Sequence, residues 1–277
     1  MRLGVVLTGT GVYGAAGVGV LTALWQRNME PYAVCGIGSG AWPAALYAAG
    51  CNAAQMELAC VQAQRMGKRM LRKARSGLFQ RKTALYTADG MQRLLQAQTS
   101  RRLLALCPRR AIFPVRAQRT GYIAFASPGC LPMEGLAPIT QVSAAFAARA
   151  SMGLPPFLEP LEWRGSRLLP MQDTGAAARL LLSAGAQRVL IVDVPGAPGG
   201  RPDPMLLAAA CAEPLQESAI PGTTHLCVHI PEHISTLSFD GIVSCMEFGK
   251  RAAAHELDHL FAYMGMAFCR VLPFRKL

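Results

Sequence analysis

The sequence has no CxxC pair, no regular cysteine spacing, little charge and few aromatic residues. Its nine cysteines are odd in number, and several lie in apolar runs, as Cys35 and Cys227 do. They are expected to be buried reduced thiols of a cytosolic protein and not a disulfide framework. Charged residues make up only 16% against 52% hydrophobic, which excludes a disordered chain. Aromatic residues are too sparsely interleaved with basic ones to suggest single-strand nucleic-acid stacking. Met1 runs directly into an apolar stretch with no basic start and no cleavage site, so no signal peptide is expected. The longest uncharged stretch, residues 31–56, could span a bilayer by length. Its glycines, its proline and its change of pattern favour a buried strand–turn–helix instead. Nothing long enough to be a linker and no internal repeat occurs, so one domain over residues 1–277 is expected.

What is present in surplus is positive charge. A formal net charge of +12 favours anionic partners: phospholipid surfaces, nucleic acid or acidic small molecules. Much of it falls after Asn52, which can cap a helix expected to reach about Arg75. That helix would carry Arg65, Lys68, Arg69, Arg72, Lys73 and Arg75, with Arg81 and Lys82 beyond it. It reads either as a solvated outer helix or as a face that lies on an anionic membrane.

The order of elements points to a parallel sheet. Residues 2–8 read as a buried strand, a glycine-rich loop and a helix follow to about Arg27, and residues 32–37 read as a second strand. A helix then runs to Gly50, which completes strand, helix, strand, helix. Further on, Thr87 and Asp89 open a short helix, residues 111–126 look like two strands, and residues 139–151 a helix. Residues 169–194 read as turn, helix and apolar strand, and residues 195–204 as a Pro/Gly loop. A helix near 205–218, a strand at 224–230, a helix over 243–267 and a basic tail complete the chain.

Four places could carry chemistry. Gly9, Gly11 and Gly14 satisfy G-x-G-x-x-G between a strand and a helix, the position of a dinucleotide fingerprint. The acidic residue that should end the second strand is absent, because that strand ends Cys35-Gly36-Ile37. Backbone N–H groups there still suit an anion or a developing oxyanion. The second place is the turn after strand two, a nucleophile elbow of the G-x-S-x-G type. Gly36 and Gly40 flank it, so the reactive position is Gly38, and the nearby hydroxyl, Ser39, comes one residue late. Ser39 could equally be the N-cap of the following helix. The third is Asp173 in Q-D-T-G, which could activate a serine or simply cap the next helix. The fourth is His255-Glu256-Leu257-Asp258-His259, a formal zinc motif with no third ligand after it. It reads as a solvated helix face, and His225, His229 and His233 as structural, so no metal is expected.

Taken together the pieces resemble the patatin-like phospholipase family. The family's opening glycine loop matches Gly9-Thr10-Gly11-Val12-Tyr13-Gly14. Its elbow matches Gly36-Ile37-Gly38-Ser39-Gly40-Ala41, its A-S segment Ala150-Ser151, and its catalytic D-G-G turn Asp173-Thr174-Gly175. The resemblance implies a three-layer α/β fold related to the α/β-hydrolases, with a mainly parallel central sheet. It also implies lipid acyl-ester hydrolysis by a Ser–Asp dyad without cofactor or metal, with Gly9, Thr10 and Gly11 holding the oxyanion. This chain departs at the dyad serine, which is Gly38, at the loop arginine, which is Tyr13, and at Thr10 and Thr174. The expectation is a cytoplasmic protein, peripheral to a membrane at most, that is an impaired pseudohydrolase able to bind acyl lipid. The alternatives are an active acyl hydrolase using Ser39 and Asp173, and a nucleotide-binding protein using the Gly9–Gly14 loop.

Overall fold

An apolar run covered on both faces sits at the centre of the computed structural model, which describes residues 1–74, 84–130, 137–196, 203–212 and 220–263. Strand β1 (Leu3–Leu7) is buried at every position, so it needs no polar alternation. Helix α1 (Ala16–Gln26) follows and is closed at Asn28, with φ of 56°. Strand β2 (Ala33–Gly36) and helix α2 (Ala41–Ala48) come next. Asn52 and Gln55 exchange bonds as a capping box that starts α3 (Ala53–Met66). The chain continues through β3 (Arg72–Lys73), β4 (Tyr86–Thr87), α4 (Asp89–Gln98), β5 (Arg110–Ala117) and β6 (Gly121–Ala126). Then come α5 (Ala144–Met152), β7 (Leu161–Trp163), β8 (Ser166–Pro170), α6 (Thr174–Ser183) and β9 (Arg188–Asp193). The last described elements are α7 (Pro204–Ala212), β10 (Thr223–Cys227) and α8 (Ile242–Tyr263).

The main sheet runs β10-β9-β1-β2-β5-β8-β7, with β6 also paired to β5. The pairs from β10 to β5 are parallel, and β6, β7 and β8 add an antiparallel side. Strand parity divides the core. Val5, Leu7, Val34, Phe113 and Leu190 face a cluster that includes α1, α2, α5 and α8. Val6, Cys35, Ile112 and Ile191 face the other side, where Ala177, Ala178 and Leu181 of α6 pack. The result is the expected three-layer α/β arrangement. No helix among the described residues is long and apolar enough to cross a membrane.

Several expected boundaries moved. The basic helix does not reach Arg75: α3 stops at Met66, because Gly67 adopts φ of 51° and starts a 3-10 turn over Gly67–Met70. Arg72 and Lys73 then lie on a strand. Arg75, Arg81 and Lys82 lie outside the described residues. Helix α5 begins five residues later than expected, since Ser143 caps it by accepting from the Phe146 N–H. Ile139 bridges to Phe125 instead. The β7–β8 hairpin was not expected from the sequence; its turn, Arg164-Gly165, takes φ of 48° and 71°. Strand β10 ends at Cys227, and the ends expected for α7 and α8, residues 213–218 and 264–267, lie outside the described residues.

One contact carries a prediction. Helices α1 and α8 touch through Gly19 and Gly249, where an added Cβ would collide with the Met246 and Ala16 carbonyl oxygens. In an unhindered helix Gly→Ala stabilises by about 1 kcal/mol. Gly249→Ala is expected to do the opposite and lower stability by about 1–3 kcal/mol in urea unfolding. Equal or higher stability would show that the two helices are not in this contact.

Candidate functional site

The loops after β1 and β2 meet at the carboxyl ends of these two neighbouring parallel strands. After β2 the chain stays extended at Ile37, with φ of −120°, then turns at Gly38, with φ of +55°. Positive φ costs an L-residue about 1–2 kcal/mol, and glycine escapes that cost. The elbow is therefore present in the expected register, with Gly38 at its reactive point. The Ser39 N–H donates to the Gly9 carbonyl oxygen at 2.9 Å. A Cβ on Gly38 would collide with that same oxygen. The Gly9 carbonyl thus fills the space into which a side chain at the elbow would project.

Ser39 is half-buried inside the turn and does not cap a helix as expected, because Ile37 holds the capping position of that turn. Its Oγ accepts from the Gly14 N–H at 3.1 Å, across to the other loop. The remaining donors of the glycine loop divide into two groups. The Tyr13 N–H donates to Thr10 O at 3.2 Å, and the Val12 N–H donates to Thr236 O at 2.8 Å. The N–H groups of Gly9, Thr10 and Gly11, and that of Gly38 in the facing turn, have no hydrogen-bond partner among the described residues.

Thr236 belongs to a strap that the sequence did not reveal. The Asp203 carboxylate accepts from Thr236 N at 3.0 Å, Thr236 Oγ1 at 2.8 Å, Ser235 Oγ at 3.0 Å and Met205 N at 2.9 Å. Burial pushes the Asp203 carboxyl up, but donors from Thr236, Met205 and Ser235 outweigh it and hold the group below its ordinary value. The Tyr13 hydroxyl donates to Ile234 O at 2.7 Å, so the residue standing at the loop-arginine position ties down the same strap. The available signal was Asp203-Pro204, an N-cap residue followed by the favoured first helical residue.

The two loops form one end of a cavity of about 90 Å³. Thr10, Gly11, Gly38 and Ser39 line that end. Leucines, Phe157 and Met70, Met91, Met152 and Met205 supply half of the remainder. Methionine adapts its shape to what it contacts. Among the described residues that line it there is no Lys, Arg, His, Asp or Glu. The described lining is therefore largely apolar, and the glycine-loop residues whose N–H groups have no partner among the described residues border it.

Asp173 is placed elsewhere. It caps α6, its Oδ1 accepting from the Ala176 N–H at 2.8 Å, and its Oδ2 lies 3.6 Å from Arg179 Nη2. Its neighbour Gln172 lines the cavity and Asp173 does not. Among the described residues no hydrogen bond joins Asp173 to Ser39. His255 and His259 are exposed on α8, where His255 Nδ1 lies 2.7 Å from Glu256 and Asp258 pairs with Arg27 at 3.0 Å. His225, for which the sequence suggested no partner, lies 2.6 Å from Asp193. The register explains the pair: His225 is opposite Ile191, which places Asp193 two residues along on the same face. Among the described residues no group of three or more His, Cys, Asp or Glu could hold a metal.

Comparison with known proteins agrees with this architecture. The model of the patatin-like phospholipase family matches residues 5–184, from β1 to the end of α6. VipD from Legionella pneumophila is similar in structure with a TM-score of 0.52 at 13% identity, over 93% of this chain and 67% of that chain. The type III effector protein ExoU is similar at 12% identity with a TM-score of 0.46, over 96% of this chain and 54% of that chain. No curated protein matches the sequence.

The elbow geometry predicts the outcome of restoring a serine. Gly38→Ser is expected to lower stability by about 1–3 kcal/mol in thermal unfolding and to gain no ester turnover. An undiminished melting temperature would show that the Gly9 carbonyl leaves freely.

Proposed function

The chain belongs to the patatin-like phospholipase family, and we propose that it is a single-domain member that holds the acyl chain of a lipid without hydrolysing it. The observation that carries this reading is the Gly9 carbonyl. It takes the Ser39 N–H and fills the space at Gly38. An acyl hydrolase of this family needs a nucleophile, a base and oxyanion donors. Loss of the nucleophile alone costs several orders of magnitude in rate. Ser39 does not replace it, because a serine hydroxyl is a weak nucleophile without an adjacent base. Among the described residues no carboxylate or imidazole lines the cavity, and the Asp173 carboxylate is engaged in capping α6.

What survives is suited to binding. The Thr10 and Gly11 N–H groups can both donate to a carbonyl oxygen. Each methylene buried in the apolar walls contributes about 0.8 kcal/mol. A nucleotide is supported less well, because its phosphates would enter a cavity whose described lining holds no cation. The lipid is one that reaches the site from a membrane surface, which fits the basic net charge of the chain.

Two measurements test the reading together. Short- and long-chain p-nitrophenyl esters are expected to turn over no faster than in buffer. A long-chain fatty-acid methyl ester is expected to raise the melting temperature in a concentration-dependent way. Asp173→Ala should lose about 1 kcal/mol of stability as a cap and keep the ester-induced rise unchanged. Turnover by the native chain that Ser39→Ala abolishes would contradict the proposal and restore the hydrolase reading.

A further inference from the structure

One wall of the cavity has two unlike faces. It is built by the turn after α3, by the β3–β4 pair and by α4. Met70 and Leu71 line the cavity, and Met70 is only 4% exposed. The residues on either side of them, Lys68, Arg69, Arg72 and Lys73, are exposed. The same division continues across the wall. Tyr86 lines the cavity while its neighbour Leu85 is 53% exposed. On α4, Met91 and Leu94 line the cavity while Arg93 is exposed. The pieces form one surface: Arg72 pairs with Thr87 and Lys73 with Tyr86, and an added Cβ on Gly90 of α4 would collide with the Arg69 carbonyl.

Charge on the outer face is unbalanced. Against Lys68, Arg69, Arg72, Lys73 and Arg93 it exposes the carboxylate of Asp89. None of the five cations forms an ion pair among the described residues. Like charges left in proximity on a surface repel one another unless an anion covers them.

We propose that this outer face docks on an anionic lipid surface and that the acyl chain of an anionic phospholipid enters the cavity along it. The cations take the headgroups, exposed Leu85 enters the interface, and the methionine- and leucine-lined inner face receives the tail. A lipid uses both faces of the wall at once. A nucleic acid would use the outer one alone, where among the described residues of this wall the aromatic one, Tyr86, lines the cavity instead. The choice of an acyl ligand rests on the reading above; the choice of docking face rests on charge and exposure.

Co-sedimentation with vesicles tests it, comparing phosphatidylcholine alone with phosphatidylcholine containing phosphatidylglycerol. The native chain should bind the anionic vesicles preferentially and release from them as salt rises. A surface cation contributes about a fivefold factor at an anionic membrane, so Arg72→Gln combined with Lys73→Gln should bind about 25-fold more weakly. Both residues are exposed and outside the cavity lining, so the variant should keep the methyl-ester-induced rise in melting temperature measured without vesicles. Weakened vesicle binding with that rise intact supports the docking face. Weakened vesicle binding where even the native chain shows no rise supports the face and removes the acyl reading. Equal binding of variant and native chains, equal binding to both kinds of vesicle, or tighter binding of single-stranded nucleic acid than of anionic vesicles would overturn the face.

Discussion

The N–H of Ser39 donates to the carbonyl of Gly9, and that bond sets the relation between the two turns on which the site depends. An elbow presents two things at its tip, a side chain and the N–H that follows it. Here one carbonyl oxygen meets both needs from the opposite side: it accepts the N–H and occupies the side-chain space. Gly38 is then the residue that permits the arrangement, since any Cβ would have to displace the Gly9 peptide. The reciprocal bond, from the Gly14 N–H to Ser39 Oγ, closes the pair. These two bonds latch the elbow turn to the glycine loop, and Thr10 and Gly11, whose N–H groups have no partner among the described residues, line the cavity beside them.

The surroundings hold that latch in place from two directions. The strap at Ser235 and Thr236 covers the glycine loop and takes the Val12 N–H. Asp203 fixes the strap with three hydrogen bonds, two from hydroxyls and one from a backbone N–H, while the Met205 N–H of α7 supplies a fourth. Such charge-assisted bonds are the strong ones. Tyr13 reaches the strap from beneath and is itself buried in the main core. On the far side, close packing of α8 on α1 anchors the helix into which the glycine loop runs. A site built this way is rigid at its polar end. The adaptable methionines line the other walls, where a chain of variable shape would lie.

Much of this was legible in the sequence, for physical reasons that differ by element. Apolar runs such as residues 3–7 read directly as buried strands, because both faces are covered. The elbow register followed from the spacing of Gly36 and Gly40, and the structure puts positive φ at Gly38 between them. Local spacing could not show where a carbonyl points, so the occupied elbow was invisible. It also could not join partners far apart in the chain, as with Asp203 and Thr236, or His225 and Asp193. Where a boundary was missed, a local breaker was underweighted: Gly67 cuts the basic helix, and this is what turns its cations into the rim of a cavity. Asp173 shows the limit of a motif. The turn is present at the expected position, its carboxylate caps α6, and among the described residues no hydrogen bond joins it to Ser39.

In the proposed function the Thr10 and Gly11 N–H groups, and not a hydroxyl, receive the carbonyl of a retained acyl ligand. Amide chemical shifts of the 15N-labelled chain, followed while a non-hydrolysable long-chain alkyl methyl ether and the matching methyl ester are each titrated, test it directly. The account predicts that the ester, which has the carbonyl that the ether lacks, shifts the Thr10 and Gly11 amides downfield. It predicts that Ser39, Val12 and Gly14, whose N–H groups are already bonded, change little, and that the ester stays intact through the titration. A downfield shift centred on Ser39, or appearance of free acid that depends on the Ser39 hydroxyl, would contradict it.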